Sequence, residues 1–204
     1  MKFLLGEKIG MSQIFDNEGN IIPVALIRAT PNVVVQIKTK EKDGYVGVQV
    51  GAGVRKVKNI AKPQRGHFAG LGNFRHVVEF RLNQSTALQR GERIDVSVFA
   101  EGDAVKVSGI SKSKGFQGVV KRYGFHGAPA THGTKHAHRQ PGSIGGGGRA
   151  GGKVIKGMRM AGRMGGERVS VRNLKVVKID KENNMVAIKG AVPGRRGTLL
   201  EIRG

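Results

Sequence analysis

The sequence predicts a mainly β protein, a barrel or a sandwich of short strands, interrupted by one long basic segment. Apolar runs and turn-forming residues alternate at intervals of roughly 8–12 residues, a spacing typical of all-β domains rather than of a parallel α/β sheet. The 204 residues are enough for one compact domain or two small ones. The 33 glycines exceed the usual share, ~7 per cent, by a wide margin. No acidic residue occurs between Asp103 and Glu167, which sets that segment apart from the rest.

Strands are predicted where apolar and polar residues alternate between turn signals. Before the basic segment, Asn and Gly in residues 16–20 tolerate positive φ and predict a hairpin that leads into a strand over 21–27. The other strands predicted on this side cover residues 33–37, 46–50, 94–98 and 105–107, with a turn at 41–44. After the segment, strands are predicted over 169–171, 174–179, 185–188 and 198–202, with a turn at 180–184. We expect both sets to share one sheet system, with short helices within 63–70 and around 115–122.

The charge balance predicts a polyanionic partner. Lys and Arg number 36 against 14 Asp and Glu, a formal net charge of +22. Self-repulsion on this scale weakens a compact fold unless a polyanion offsets it, so nucleic acid is expected and an anionic membrane less so. The sequence contains no run of 18 apolar residues, the length needed to span a bilayer, and its first residues do not have the pattern of a secretory signal. The protein is therefore expected to stay where it is made. Without cysteine there is no disulfide framework and no thiolate metal site.

The basic segment cannot form a core of its own. The 63 residues between Asp103 and Glu167 hold 12 Lys and Arg, whereas the other 141 residues have 24 basic and 14 acidic side chains, an ordinary mixture. Residues 126–166 contain 13 Gly and only three branched aliphatic residues, too little to offset an ordering entropy of about 1–2 kcal/mol per residue. We expect either disorder or an arm that orders against a partner, with a reach of at most roughly 65 Å if it runs out and back.

Aromatic side chains are interleaved with the cations at the start of this segment. Residues 111–125 combine Lys and Arg with Phe116, Tyr123 and Phe125. Cations neutralise phosphates, exposed rings stack on bases, and glycines let the backbone approach a phosphate. Nucleic-acid contact is the interpretation that this mixture favours. Phe116 and Val119 or Val120 have helical spacing and are expected to pack into the domain rather than stack on a base.

Three histidines raise the question of a metal site. His132 and His136 have the spacing that places two imidazoles on one helix face, and His138 lies close in sequence. Gly133 interrupts the spacing, however, and no carboxylate is near enough to support the ligands. Hydrogen bonds from these histidines to phosphate or ribose explain the pattern better than a metal does.

Two further motifs imitate enzyme signatures. Residues 147–153 match the spacing of a phosphate-binding loop, but Val154 stands where Ser or Thr would hold Mg²⁺, and no strand precedes the motif. Ser111 and Lys114 match the first motif of serine acyl-transfer enzymes, whose companion motifs are absent. Catalysis also needs carboxylates or histidines in a dry pocket. We therefore favour a structural RNA-binding protein, with a free-standing nucleic-acid enzyme or chaperone as the alternative.

Motifs along the whole chain resemble the L-three family of large-ribosomal-subunit proteins in its bacterial form. Before the basic segment and at its start they are Met1-Lys-x-x-Leu-Gly-x-Lys-Ile-Gly-Met11, Lys42-Asp-Gly-Tyr45, Lys62-Pro-x-x-Gly-His-Phe68 and Ser111-Lys-Ser-Lys-Gly-Phe-Gln-Gly118. Further along they are His132-Gly133, His138-Arg139-x-Pro-Gly-Ser-Ile-Gly145, Lys156-Gly-x-x-Met-Ala-Gly162, Glu167-Arg-Val169 and Lys189-Gly-Ala-Val-Pro-Gly194. The order of the motifs is preserved, which makes the resemblance specific.

The resemblance implies a closed six-stranded β-barrel of the translation-protein type, formed by residues 1–110 and 167–204. Residues 111–166 would form a basic helix and an extended loop that penetrates ribosomal RNA toward the peptidyl-transferase centre. The implied partners are large-subunit ribosomal RNA, bound near its 3′ end during early assembly, and the ribosomal proteins fourteen and nineteen. The resemblance implies a cytoplasmic location in the large subunit, with no enzymatic activity, cofactor, metal, membrane or small-molecule substrate.

The resemblance also implies particular RNA contacts. Matched by motif, they are Lys112, Lys114, Lys121, Arg122, His132, His138, Arg139, Lys153, Lys156, Arg159 and Arg163. The residues themselves add Tyr123, His136 and Arg149, and the loop tip is predicted at Gly145, Gly146, Gly147, Gly148 and Arg149. Two positions depart from the family pattern. The Gln that is methylated in some members is absent from the tip, and Tyr123 replaces a Trp that is common in relatives, so any stacking there would be weaker.

Overall fold

The computed structural model describes residues 2–84, 86–146, 148 and 151–204. The strands are β1 (Phe3–Phe15), β2 (Ile21–Arg28), β3 (Asn32–Lys38), β4 (Gly47–Val54), β5 (Phe74–Arg81), β6 (Arg93–Ile94), β7 (Ala104–Ile110), β8 (Phe116–Gln117), β9 (Gly162–Arg163), β10 (Arg168–Asp180), β11 (Met185–Lys189) and β12 (Leu199–Arg203). The helices are α1 (Lys40–Asp43), α2 (Lys62–His67) and α3 (Val119–Tyr123), and 3₁₀ turns cover Val57–Asn59 and Val96–Val98. The chain divides into two compact units, which we call the globular unit (Met1–Ile110 with Arg168–Gly204) and the inserted unit (Ser111–Glu167).

Six strands of the globular unit close into an antiparallel barrel in the order β1-β12-β7-β10-β11-β2. The mainly β class and the closed six-stranded barrel are thus confirmed. Strands from both sides of the basic segment share the barrel, because β7 pairs with β10 from Ile110 opposite Arg168 onward. The predicted hairpin between β1 and β2 is also confirmed, with Phe15 opposite Ile21.

Branched aliphatic side chains fill the barrel. Leu4, Ile27, Val107, Ile188, Leu200 and Ile202 are fully buried. Burying one such side chain stabilises the fold by about 1.5–3 kcal/mol, so this group provides much of the driving force for closure. A glycine permits the closest approach between β1 and β2, since a Cβ atom on Gly6 would lie 2.5 Å from Cγ2 of Ile27.

The remaining strands of the globular unit form a second sheet in the order β5-β4-β3-β6. The rings of Phe3 in β1 and Phe80 in β5 stack with their centroids 4.6 Å apart, which joins this sheet to the barrel core. A smaller cluster of Val35, Ile60 and Phe68 anchors the connection between β4 and β5. Strand β5 has no counterpart among the sequence predictions.

Local hydrogen bonds explain where the structure differs from the predicted strands. The strand predicted over 94–98 stops at Ile94, because the Asp95 side chain accepts a 2.8 Å hydrogen bond from the Ser97 amide and caps a 3₁₀ turn instead. The turn predicted at 41–44 is the short helix α1, which ends at Gly44 with φ +78°. The strands predicted over 169–171 and 174–179 are one strand, β10, whose register shifts around Asn173.

Asn32 ties β1 to the chain that enters β3. This residue is fully buried, and its Oδ1 accepts a 2.7 Å hydrogen bond from the Leu5 amide. Its Nδ2 donates to the Leu5 carbonyl at 3.1 Å and to the Thr30 carbonyl at 2.7 Å. One side chain therefore satisfies three backbone groups.

A polar cluster stabilises the exposed side of the second sheet. The Tyr45 hydroxyl donates a 2.6 Å hydrogen bond to Oε1 of Glu79, and the Gln49 amide donates to Oε2 at 3.2 Å. Nζ of Lys38 lies 3.7 Å from Oε2 of Glu79. The hydrogen bond from Tyr45 is the main cause that lowers the pKa of Glu79 below its usual value, and Gln49 and Lys38 add to it.

We expect Asn32→Ala to lower the free energy of unfolding by ~2–4 kcal/mol, because the buried amide and carbonyl of Leu5 lose this partner, as does the partly buried carbonyl of Thr30. Chemical denaturation of both proteins measures the difference. Asn17→Ala, at an exposed turn position, is the control and should change stability by less than ~0.5 kcal/mol. Equal effects of the two substitutions would contradict this role of Asn32.

We expect Tyr45→Phe to raise the pKa of Glu79 toward its usual value, because the hydroxyl donates to the ionised carboxylate. A lowered pKa in the folded state stabilises the protein at neutral pH, and this contribution is lost as the pH falls through the pKa of folded Glu79. The stability difference between wild type and Tyr45→Phe should therefore shrink in acid. NMR titration of the Glu79 carboxyl measures the pKa, and an unchanged value in the variant would refute the assignment.

Candidate nucleic-acid interface

The two ends of the inserted unit run antiparallel. Strands β8 and β9 pair with Phe116 opposite Arg163. Next to them, the Lys114 amide donates to the Met164 carbonyl at 2.9 Å, and the Met164 amide donates to the Gly115 carbonyl at 2.9 Å. The cations at both ends of the segment are thus attached to one short β ribbon.

Glycine is required where the end of the inserted unit passes close to its beginning. Gly165 has φ +71°, and a Cβ atom there would lie 2.2 Å from the Lys112 carbonyl oxygen. The chain can therefore lie this close to Lys112 only without a side chain at this position.

Helix α3 carries two cations and lies beside the chain that leads into β9. Val119 is 2 % exposed and Lys121 is exposed. Arg122 is half-buried, and its Nη1 donates a 2.8 Å hydrogen bond to the Met160 carbonyl. Gly124 ends the helix with φ +73°. Arg122 therefore holds α3 to the chain that precedes β9, whereas Lys121 is free to meet a partner.

Tyr123 lies among cations and another ring. The guanidinium carbon of Arg122 is 4.9 Å from the centroid of the Tyr123 ring, and that of Arg159 is 5.9 Å away. The Phe125 ring is tilted by 46° at a centroid distance of 6.3 Å. A cleft of about 470 Å³ is lined by Tyr123, Phe125 and Arg159, together with the other residues of 124–128, Ala137 and residues 140–142. Aromatic faces, cations and accessible backbone are the chemistry that receives nucleotides.

A backbone hydrogen bond joins the two stretches of chain that line this cleft. The Ala128 amide donates to the His138 carbonyl at 3.2 Å. Gly127 has φ +78°, and a Cβ atom there would lie 2.0 Å from that same carbonyl oxygen. Sequence reasoning did not find this cleft, because nothing in the local pattern indicates that residues 123–128 meet residues 137–142.

Most of the predicted RNA contacts are exposed. This holds for Lys112, Lys114, Lys121, Tyr123, His132, His136, His138, Arg139, Lys153, Lys156, Arg159 and Arg163, with Arg122 half-buried. The described cations of the inserted unit form no ion pair, since the ion pairs of the described residues all lie in the globular unit. The described residues also contain no group of three side chains placed to bind a metal, the three histidines included.

The predicted loop tip is described only in part. Gly145, Gly146 and Gly148 are exposed, whereas Gly147 and Arg149 lie outside the described residues. A Cβ atom on Gly145 would lie 3.5 Å from the Lys153 carbonyl oxygen, so the chain at Gly145 and the chain at Lys153 come close together.

Phe116 corrects the expectation that it packs into the domain beside Val119 or Val120. Its side chain is 76 % exposed, whereas Val119 is buried as expected. The reason is local: Phe116 belongs to strand β8, and the helix begins only at Val119, so helical spacing does not relate the two residues. An exposed ring on the ribbon is available to a partner.

A second, shorter acid-free stretch lies among the 141 residues whose mixture of basic and acidic side chains looked ordinary. No acidic residue occurs in the 35 positions between Asp43 and Glu79. Its Lys and Arg residues are Arg55, Lys56, Lys58, Lys62, Arg65 and Arg75, and all six are exposed. The same criterion that singled out residues 104–166, applied to shorter windows, would have found it.

Comparisons with known proteins agree with this picture. The family model described as Ribosomal protein L3 matches residues 56–187. The large ribosomal subunit protein uL3 of Cutibacterium acnes is 50 % identical over 205 residues, which cover all of this chain and 92 % of the relative. The proteins of the same name from Acidothermus cellulolyticus and Desulfitobacterium hafniense are 46 % and 48 % identical, and the matches cover 100 % and 99 % of this chain and 92 % and 95 % of the relatives.

None of the helices that the structure describes is long and apolar enough to cross a membrane. Family membership, rather than any feature missing from the structure, decides between the two hypotheses drawn from the sequence. The chain belongs to the ribosomal protein L3 family, as its motifs predicted, and is a structural protein of the large ribosomal subunit rather than an enzyme.

Proposed function

We propose that this protein binds large-subunit ribosomal RNA directly through residues 111–166, nucleates subunit assembly near the 3′ end of that RNA, and extends its loop toward the peptidyl-transferase centre. One observation carries the proposal. The inserted unit has eleven Lys and Arg residues against the single acid Glu167, and its described cations form no ion pair. Such a charge distribution is stabilised when phosphates surround it.

The cations and the glycines have different tasks in this interface. Each Lys or Arg that contacts a phosphate releases condensed counterions, which makes binding favourable and dependent on salt. Glycines leave the backbone amides open to phosphate oxygens. Arg122 acts as a positioning residue, because its hydrogen bond to the Met160 carbonyl holds α3 while Lys121 faces outward. Tyr123 offers a ring face between Arg122 and Arg159 to a base or a ribose.

The proposed partners are large-subunit ribosomal RNA and the neighbouring ribosomal proteins fourteen and nineteen. The inserted unit contains one carboxylate, and its four histidines are exposed, so it holds no acid–base pair in the dry pocket that catalysis needs. Peptidyl transfer would accordingly be carried out by RNA, and the loop would influence the geometry of the RNA around it.

We expect the combined change Lys153→Gln, Arg159→Gln and Arg163→Gln to reduce the slope of log K against log salt by about 0.7–0.9 for each phosphate-binding cation removed. Filter binding of a large-subunit ribosomal RNA transcript over a salt series measures the slope. A matched control replaces Lys40, Lys42 and Lys178 with Gln, because these exposed lysines lie beside Glu41, Asp43 and Asp180. Identical slopes for wild type and the loop variant would count against the assignment.

We expect residues 127–146 and 151–161 to exchange amide hydrogens rapidly in the isolated protein and slowly in the RNA complex. The described backbone hydrogen bonds in these stretches are sparse, and the segment lacks the apolar side chains of a core. Hydrogen exchange with mass spectrometry tests this, and the barrel strands provide the protected reference in both states. Strong protection of these residues without RNA would be the opposite result.

A further inference from the structure

The hairpin formed by β1 and β2 extends past the barrel strands on either side of it. Strand β12 pairs with β1 only from Phe3 to Glu7, and β11 pairs with β2 only from Val24 to Arg28. In the strand pairings of the described residues, 13–15 and 21–23 therefore pair only with each other. We call residues 10–23 the β1–β2 arm.

Both ends of the arm are held by hydrogen bonds. At its base, Nζ of the buried Lys8 donates to the carbonyl oxygens of Val192 at 2.8 Å and Gly194 at 3.0 Å. At its tip, Oδ1 of Asp16 accepts from the amides of Glu18 at 3.0 Å and Asn20 at 2.8 Å. The arm thus has a defined shape, and ordering it costs little when a partner binds.

One face of the arm is almost entirely apolar. Phe15 lies opposite Ile21 and Gln13 lies opposite Pro23, and Met11 shares their face because side chains alternate along a strand. Met11 is 50 % exposed, Phe15 is 62 % exposed and Ile21 is 58 % exposed. Pro23 is exposed as well, so Gln13 is the one polar member of this face.

An exposed face of this kind is unfavourable in water. An isolated two-stranded hairpin is marginally stable, and burying one large apolar side chain contributes about 1.5–3 kcal/mol. A partner that covers the face would gain this contribution at several positions. Exposed apolar patches mark sites of protein association, and aromatic residues and Met are enriched there.

The charge of the arm is opposite to that of the chain as a whole. Residues 9–27 contain two acids, Asp16 and Glu18, and no Lys, Arg or His, which makes them the longest stretch without a cation in a chain of net charge +22. The hydrogen bond from the Asn20 amide is the largest cause that lowers the pKa of Asp16 below its usual value. The tip therefore carries negative charge at neutral pH.

The nearest cations lie at the base of the arm rather than at its tip. A Cβ atom on Gly10 would lie 3.6 Å from Nε of Arg196, and Lys189 is opposite Val24 in the sheet. The acids at the tip would repel the phosphates of RNA, and a second copy of this chain would bring the same acids and the same net charge. A basic protein complements both the acidic tip and the apolar face.

We propose that the apolar face of the β1–β2 arm docks on another protein of the large ribosomal subunit, at a surface that is apolar and carries Lys or Arg beside the acidic tip. Phe15 is the anchor of this contact, because it is the largest exposed side chain of the face. The inference deepens the proposed function and rests on the protein neighbours named there, since it assigns the surface that meets one of them.

Photochemical cross-linking tests the location. The photoreactive amino acid p-benzoylphenylalanine replaces Phe15 in one variant and Glu182, an exposed acid in another turn of the barrel, in the control. Large subunits that contain each variant are irradiated, and the products are digested with ribonuclease and analysed by mass spectrometry. From position 15 we expect a cross-link to a second ribosomal protein, at a peptide that contains or adjoins Lys or Arg, and from position 182 no cross-link to that protein.

The outcomes separate the arm contact from the proposed function. A cross-link from position 15 to RNA alone, or none above the control, would overturn the arm contact and leave RNA binding by residues 111–166 intact. A protein cross-link from position 15, together with identical salt slopes for wild type and the loop variant described above, would support the arm contact and contradict that RNA binding.

A charge reversal tests the complementarity. Glu18→Lys and the control Glu182→Lys change the net charge equally at exposed turn positions, and thermal melting followed by circular dichroism verifies both folds. With the probe at position 15, we expect Glu18→Lys to lower the yield of the protein cross-link at least about fivefold and Glu182→Lys to lower it less than about twofold. Equal losses would assign the effect to net charge and overturn the proposal. Stronger binding of a ribosomal RNA transcript by Glu18→Lys than by Glu182→Lys would also overturn it, because the tip would then face phosphates.

Discussion

Uncompensated positive charge is the constraint on which the rest of this molecule depends. Within the inserted unit, eleven cations share a segment with the single carboxylate of Glu167. Two unit charges 10 Å apart in water repel each other by only about 0.4 kcal/mol, but the repulsion adds over every pair in a segment that is drawn together. Few apolar side chains are present to offset it. Extension along an anionic partner lowers this energy, whereas collapse onto itself raises it.

The barrel holds together the two ends of this long segment, which has no core to do so itself. Strands β7 and β10 are neighbours in the barrel, and Ile110 lies opposite Arg168 where the insertion leaves and returns. The two ends of the segment are therefore brought together by barrel pairing. Closing a long loop costs entropy that grows only with the logarithm of its length, and the buried core around Val107 and Ile202 offsets that cost. A barrel of modest size can thus carry a long segment that has no core.

Periodicity and charge made much of this predictable. Alternation located β7 and β12, a short apolar run between turn signals located β11, and the asymmetry of charge located the RNA-binding candidate. The failures have physical causes. Asp95 ended a strand through a side-chain hydrogen bond that competes with the ladder, and Phe116 left the expected helix because its backbone pairs with Arg163.

Tertiary contacts account for the remaining differences between expectation and structure. The cleft beside Tyr123 depends on a meeting of residues distant in sequence, about which local pattern carries no information. Barrel closure itself was available from the family resemblance, since the alternation alone left a barrel and a sandwich equally open. The cations near β4 were overlooked because charge was averaged over too long a window.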